Sequence, residues 1–388
     1  MRNISDTIFR LASRRPGDAT AHSPGVPNRL VRLADAGSNP GALRAHVHVP
    51  TSLRKEAALV VVLHGCTQTA AGYDVGAGWS EMADRHGFAV LFPEQQRQNN
   101  ANLCFNWFVP DDSRRGCGEA LSIRQMVEVV VKTHEIDVTR VFVTGLSAGG
   151  AMASIMLATY PEVFAGGAII GGLPYGCATT VAQAFDRMRG HGLPSEAGLA
   201  ALVKNASNHD GPWPTISVWH GSEDATVNTS NAEAILGQWR SLHKVGTSPS
   251  QVQVVDGCPR RIWFDDHGRE VIEAYSIAGM GHGAPLDTSG SEGCGKAGPY
   301  MLEAGISSTR RICDFWRITG AGDDLEQDRP AKRQIDAGSL VPTSGLMQAH
   351  DAVAATSRSM RSSIEPLGHV DDVGKMIEDA LRAAGLMR

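Results

Sequence analysis

The chain has 388 residues with 36 basic and 41 acidic side chains, a formal net charge of −5. That length accommodates one large domain with attachments, since single hydrophobic cores stop growing at roughly 250–300 residues. The basic residues are scattered rather than clustered, which argues against a nucleic-acid partner, and no run of ~18 apolar residues is present to span a membrane.

Residues 1–40 are read as an N-terminal arm, because "RRPGDATAHSPGVPNR" has the composition of a loosely held segment. The opening "MRNISDTIFRLAS" holds no continuous apolar stretch followed by a small-residue cleavage site, so a standard signal peptide is not evident.

The catalytic domain is expected over 41–318. "ALRAHVHVP" alternates like an edge or half-buried strand, and "ALVVVLHG" runs apolar like a central parallel strand, so the two are expected to be neighbours. A helix through "WSEMADRHG", a strand "FAVLFPE" and a long helix through "EALSIRQMVEVVVKTHE" come next. The strand "RVFVTG", a helix from Ala148 and the strand "VFAGGAII" continue the alternation. "TISVWHG" reads as another strand, "SNAEAILGQWRSLH" as a helix, "EVIEAYSIAG" as a last strand and "PYMLEAGISSTRRICDFW" as a final helix. Strands alternating with helices predict a doubly wound, mostly parallel α/β sheet. Residues 319–345 read as a polar linker. Residues 346–388 read as a helical tail, whose Val373, Met376, Ile377, Ala380, Leu381 and Ala384 share one face and could dock on the catalytic domain or pair with a second copy.

"GLSAG", Gly145 to Gly149, fits G-x-S-x-G between a strand and a helix, the context that motif requires. Ser147 is the candidate nucleophile. A serine hydroxyl needs a base to take its proton, and the base needs a carboxylate to orient it. In sheet hydrolases the partners follow in the order serine, acid, histidine. Asp224 follows the strand "TISVWHG" and is taken as the acid, with Glu223 the adjacent competitor. His282, flanked by glycines in "AGMGHGAP", is taken as the base. Of the 14 histidines, those in predicted helices, on the early strand or in the arm and tail fit less well, and His220 precedes the acid, which suits support of the loop.

Backbone amides must also face the oxyanion. Ala148, directly after the nucleophile, supplies one, and the loop "LHGCTQTA" supplies the other, assigned to Cys66 with Gly65 permitting close approach. His64, Asn106 and Trp107 are assigned to the substrate pocket, the last two from the aromatic loop "CFNWF", although aromatic clusters are more often core. The seven cysteines include no C-x-x-C pair, so a zinc site is disfavoured. Cys66 and Cys104 lie near the two active-site loops, where a disulfide or free thiols are both open readings.

Taken together, "VVVLHGCTQTAAGYDVGAGWSEMADRHGFAVLFPEQ", "CFNWF", "VTGLSAGGAMA", "GLPYG", "WHGSEDATV" and "GMGHG" resemble the polyhydroxybutyrate (PHB) depolymerase family of esterases over roughly residues 40 to 318. The resemblance implies an α/β-hydrolase fold, serine esterase activity without metal or organic cofactor, and action outside the cell, with a cytoplasmic enzyme the alternative. It places Ser147, Asp224 and His282 on the family's triad and Cys66 on its oxyanion position. The expected substrate is a poly(3-hydroxybutyrate)-type polyester or its oligomers. Feruloyl, acetylxylan and short-chain esters are the alternatives, because the broad family also looks like those esterases. A non-catalytic binding module on the same scaffold is the rival from another class, and a peptidase is a second rival that keeps hydrolysis.

Overall fold

The computed structural model describes residues 29–34 and 36–319. The arm up to residue 28, the linker beyond Thr319 and the C-terminal helix with its oligomer face lie outside the described residues. In chain order the elements are β1 Val31–Arg32, β2 Arg44–His48, β3 Leu59–Leu63, α1 Ala70–Ala77, α2 Trp79–His86, β4 Ala89–Glu94, α3 Pro110–Ser113, α4 Gly118–Thr133, β5 Val141–Leu146, α5 Ala148–Thr159 and β6 Gly166–Ile170. After these come α6 Val181–Met188, α7 Glu196–Lys204, β7 Thr215–Gly221, α8 Ser230–His243, β8 Gln251–Val255, β9 Cys258–Phe264, β10 Glu270–Ile277, β11 Ala284–Leu286, β12 Met301–Glu303 and α9 Ser308–Phe315.

Ten strands form one sheet in the order β1-β2-β4-β3-β5-β6-β7-β10-β9-β8. From β4 across to β10 every pairing is parallel, and antiparallel strands close both edges. All five residues of β3 and all six of β5 are buried, because helices cover both faces of a parallel sheet. Val60 and Val62 face a cluster containing Trp79, Met82, Phe142 and Trp316, in which Trp316 stacks on Phe142 at 4.7 Å. Leu59, Val61 and Leu63 alternate to the opposite face. Fully burying each such side chain contributes about 1.5–3 kcal/mol.

Three expectations need correction. β2 and β3 are not neighbours: β2 pairs antiparallel with β4, which lies between them. The single C-terminal helix is a short strand β12 followed by α9, because Gly305 sits at φ +69° and the Ser307 hydroxyl caps a new start by accepting from the Arg310 amide. The β8–β9 hairpin was overlooked, although its Asp256-Gly257 turn, both residues at positive φ, is a strong hairpin signal. β1, pairing Val31 with Val47, also brings part of the 1–40 stretch into the sheet.

Candidate active site

Ser147 stands between β5 and α5 at φ 59°, ψ −119°, a posture disfavoured for any residue with a Cβ. The turn is held by close backbone contact on every side. A side chain at Gly145 would strike the backbone of Gly149, and one at Gly149 would strike the carbonyls of Leu63 and His64. The Ser147 amide donates to the Ile170 carbonyl at 2.9 Å, which fixes the serine beside the end of β6. Strand order reverses around β3, so this corner is the switch point where open parallel sheets bind ligands.

The loop after β7 delivers Asp224 and the loop after β10 delivers His282. His282 Nδ1 donates to Asp224 Oδ2 at 2.7 Å, while Asp224 Oδ1 accepts from the amides of Thr226 and Val227 at 2.9 and 2.8 Å. His220 stands below: its Nε2 is 2.8 Å from the Val227 carbonyl and 3.4 Å from Asp224 Oδ2. Burial pushes the Asp224 carboxyl up, but the hydrogen bond and charge of His282 outweigh it and hold the group below its ordinary range. Glu223 is exposed, and among the described residues only its amide is engaged, donating to the Met280 carbonyl at 3.0 Å. Of the two acids, the geometry joins Asp224 to the histidine.

Gly171, directly after the residue that anchors Ser147, forms the wall behind this pair. A Cβ there would lie 3.2 Å from His282 Cε1 and 3.5 Å from Asp224 Oδ2. The imidazole thus packs at the strand end adjoining Ser147, and its proton on Nδ1 leaves Nε2 as the basic nitrogen. No hydrogen bond joins the Ser147 hydroxyl to this ring among the described residues, and such contacts commonly tighten only with substrate bound. Tyr300 stands edge-on to His282, ring centres 6.2 Å apart.

The loop after β3 closes on the serine from the other side. A Cβ on Gly65 would be 3.6 Å from the Ser147 Cβ. The amides of Cys66 and Ala148 donate to no group among the described residues, which leaves both available to an oxyanion. Cys66 is disulfide-bonded to Cys104, with Cα atoms 4.2 Å apart, and the Thr67 amide donates to the Asn102 carbonyl at 2.7 Å. The loop after β3 is therefore tied to the aromatic loop. The bridge spans 38 residues, and chain entropy gives a closure of that length a worth of about 4 kcal/mol. Cys104→Ser is expected to lower the unfolding free energy by about 2–4 kcal/mol, read from denaturant midpoints under oxidising conditions. An unchanged midpoint would show that the bridge does not form in solution.

Two pocket assignments need correction. His64 is 1% exposed and its two ring nitrogens lie 2.8 Å from the Gly65 carbonyl and 3.1 Å from the Gln95 amide, so it has no surface to offer substrate. Asn106 is also buried, its side chain bonded to Asn100 and Asp112 and its amide donating to Glu119 Oε2. Trp107 packs edge-on against Phe108 at 5.4 Å and keeps only a sliver of surface. Sequence reasoning missed Gly171, Tyr300, and the fully buried pair Gln95 and Glu119 that braces the aromatic loop. The paired glycines after β6 were the one available signal for the His282 wall. Among the described residues no cluster of three His, Cys, Asp or Glu side chains is arranged to hold a metal, and no helix is long and apolar enough to cross a membrane.

A strand-elbow serine, a loop acid and a loop histidine at one corner of such a sheet suit acyl transfer through a serine, and comparison with known proteins narrows the chemistry further. The family model described as esterase PHB depolymerase matches residues 44–248. The chain belongs to the PHB depolymerase family of esterases. Poly(3-hydroxyalkanoate) depolymerase C of Paucimonas lemoignei is 45% identical over 293 residues, spanning 75% of this chain and 70% of that protein. Feruloyl esterase B of Talaromyces funiculosus is 28% identical over 270 residues, 67% of this chain and 74% of that one. The solved acetyl xylan esterase from Aspergillus awamori superposes with a TM-score of 0.60 at 25% identity, covering 65% of this chain and 93% of its own. The fold is that of the α/β-hydrolases, and this member of the PHB depolymerase family is a serine esterase.

Proposed function

We propose that this esterase cleaves the ester bonds of poly(3-hydroxyalkanoates) of the hydroxybutyrate type, or their oligomers, through a Ser147–His282–Asp224 triad. The observation that carries the triad is the 2.7 Å bond from His282 Nδ1 to the buried Asp224 carboxylate, at the strand end adjoining Ser147. His282 Nε2 takes the Ser147 proton as Oγ attacks the ester carbonyl, and the amides of Cys66 and Ala148 hold the resulting oxyanion. Collapse of the tetrahedral adduct expels the hydroxyl end of the chain, which takes its proton from His282 and leaves an acyl-serine. Water then repeats the attack with the same base and releases the acid. In this reading Trp107, on the loop joined to Cys66 through Cys104, borders the acyl or alcohol group with the edge it leaves exposed. The disulfide favours an oxidising, extracellular setting.

Identity to a depolymerase at 45%, against 28% to a feruloyl esterase, supports the polyester reading of the substrate. The test is acid release from purified protein incubated separately with PHB, soluble 3-hydroxybutyrate oligomers, feruloyl esters and acetylated xylan. The hydroxybutyrate substrates are expected to be hydrolysed at least ~10-fold faster per active site than the plant-type esters, a gap of about 1.4 kcal/mol in barrier. Preference for feruloyl or acetyl groups would move the assignment to a carbohydrate esterase.

A further inference from the structure

We propose that His64 is a positioning residue of the oxyanion hole, holding the Gly65–Cys66 peptide so that its N–H is aimed and polarised toward the developing alkoxide. The inference rests on the role of the Cys66 amide in the proposed function. It begins from a property of the peptide bond: the Gly65 carbonyl and the Cys66 amide belong to one planar unit, so whatever fixes the oxygen fixes the N–H on the other side.

The His64 ring lies 2.8 Å through Nδ1 from the Gly65 carbonyl oxygen, and Nε2 lies 3.1 Å from the backbone amide of Gln95. A backbone amide can only donate. Nε2 must therefore accept, and the ring proton resides on Nδ1, where it is donated to Gly65. Burial lowers the proton affinity of this imidazole, so it stays neutral in that single tautomer. Donation to a carbonyl strengthens the N–H of the same peptide as a donor, since hydrogen bonds in series polarise one another. Gly65 itself is gripped from both ends: its amide donates to Gln68 Oε1 at 2.8 Å, and its carbonyl also accepts from the Gln68 amide at 3.3 Å.

Gln95 extends the brace to the other half of the site. Its backbone holds His64, while its side-chain amide donates to the carbonyl of Cys104, the disulfide partner of Cys66, at 3.1 Å. It also donates to Glu119, whose other oxygen accepts the Asn106 amide at 2.9 Å. Gln95 directly follows β4, so the oxyanion donor is referred to a rigid strand end rather than to the mobile tip of a loop. Phe105, 5.1 Å from the imidazole between ring centres, walls the ring away from water.

The test compares His64→Asn, His64→Gln and His64→Leu. Asparagine places a donor nitrogen where Nδ1 stood, glutamine reaches the Nε2 position and can accept there, and leucine does neither. With a p-nitrophenyl butyrate assay, the Gln and Leu variants are expected to lose about 10- to 100-fold in kcat with KM within about twofold of wild type, while Asn recovers most of the loss. The inhibition constant of a trifluoromethyl ketone, whose hemiketal oxygen occupies the oxyanion site, should weaken in proportion to kcat/KM across the series. Melting curves accompany each variant. An Asn variant as impaired as Leu, a Gln variant as active as wild type, a loss confined to KM, or failure of both polar variants to fold would each overturn the proposal. Ser147→Ala serves as the control: activity surviving there sinks the triad reading, whereas a dead control with Asn equal to Leu sinks only the role of His64.

Discussion

Ser147→Ala is expected to yield a folded protein whose ester hydrolysis has dropped by about 10⁶, the scale of losing the nucleophile from a serine-hydrolase triad. Loss on that scale is anticipated because the hydroxyl is the one group that forms the covalent bond, and the remaining oxyanion amides can only favour direct attack by water. Turnover of p-nitrophenyl butyrate measures the loss, and a fluorophosphonate probe that labels wild type but not the variant identifies the residue attacked. Wild-type turnover in the variant would remove Ser147 from the mechanism. The backbone at this position adds an independent readout. Ser147→Gly would relieve a φ of 59° that is held at about 1–3 kcal/mol of strain, so this inactive variant should melt at a higher temperature than wild type.

Asp224→Asn is expected to reduce kcat by about 10⁴, with the fold retained. Asparagine can keep its oxygen on the amides of Thr226 and Val227, which turns its NH2 toward His282. Nδ1 must then accept, and the ring proton moves to Nε2, the nitrogen required to be basic. Glu223→Gln should stay active, because that side chain is exposed and unconnected to the histidine. If the two outcomes exchange, Glu223 is the acid. The same carboxylate sets a pH dependence of stability. Its folded pKa is held below the ordinary carboxylate value, so its contribution is fully present above the unfolded value near ~4 and is lost as pH falls through the folded one.

Fold class was legible because parallel strands buried on both faces leave an unmistakable imprint: "LVVVL" and "VFVTGL" are apolar without alternation. The helix Ser230–His243 could be read to the residue from its periodicity. The order β2-β4-β3 was not legible, since adjacency in sequence is only a tendency and the crossover that inserts β4 has no local signal. At the site, the residues proposed for the triad could be located from strand ends alone: Ser147, Asp224 and His282 each follow an apolar run, and the structure joins the last two by a hydrogen bond. What failed was the distinction between a side chain that lines a pocket and one that braces it. His64 and Asn106 sit on the correct loops, yet their hydrogen bonds run inward, to Gln95 and to Asp112. Those partners come from other parts of the chain, and no local pattern announces them.

The elbow at residue 147 has a practical consequence for anyone engineering this enzyme. On the result expected for Ser147→Gly, heat resistance and turnover pull in opposite directions at that one torsion. A screen that rewards survival at high temperature alone will favour variants with a relaxed elbow and no chemistry, so selection has to score both properties on the same clone.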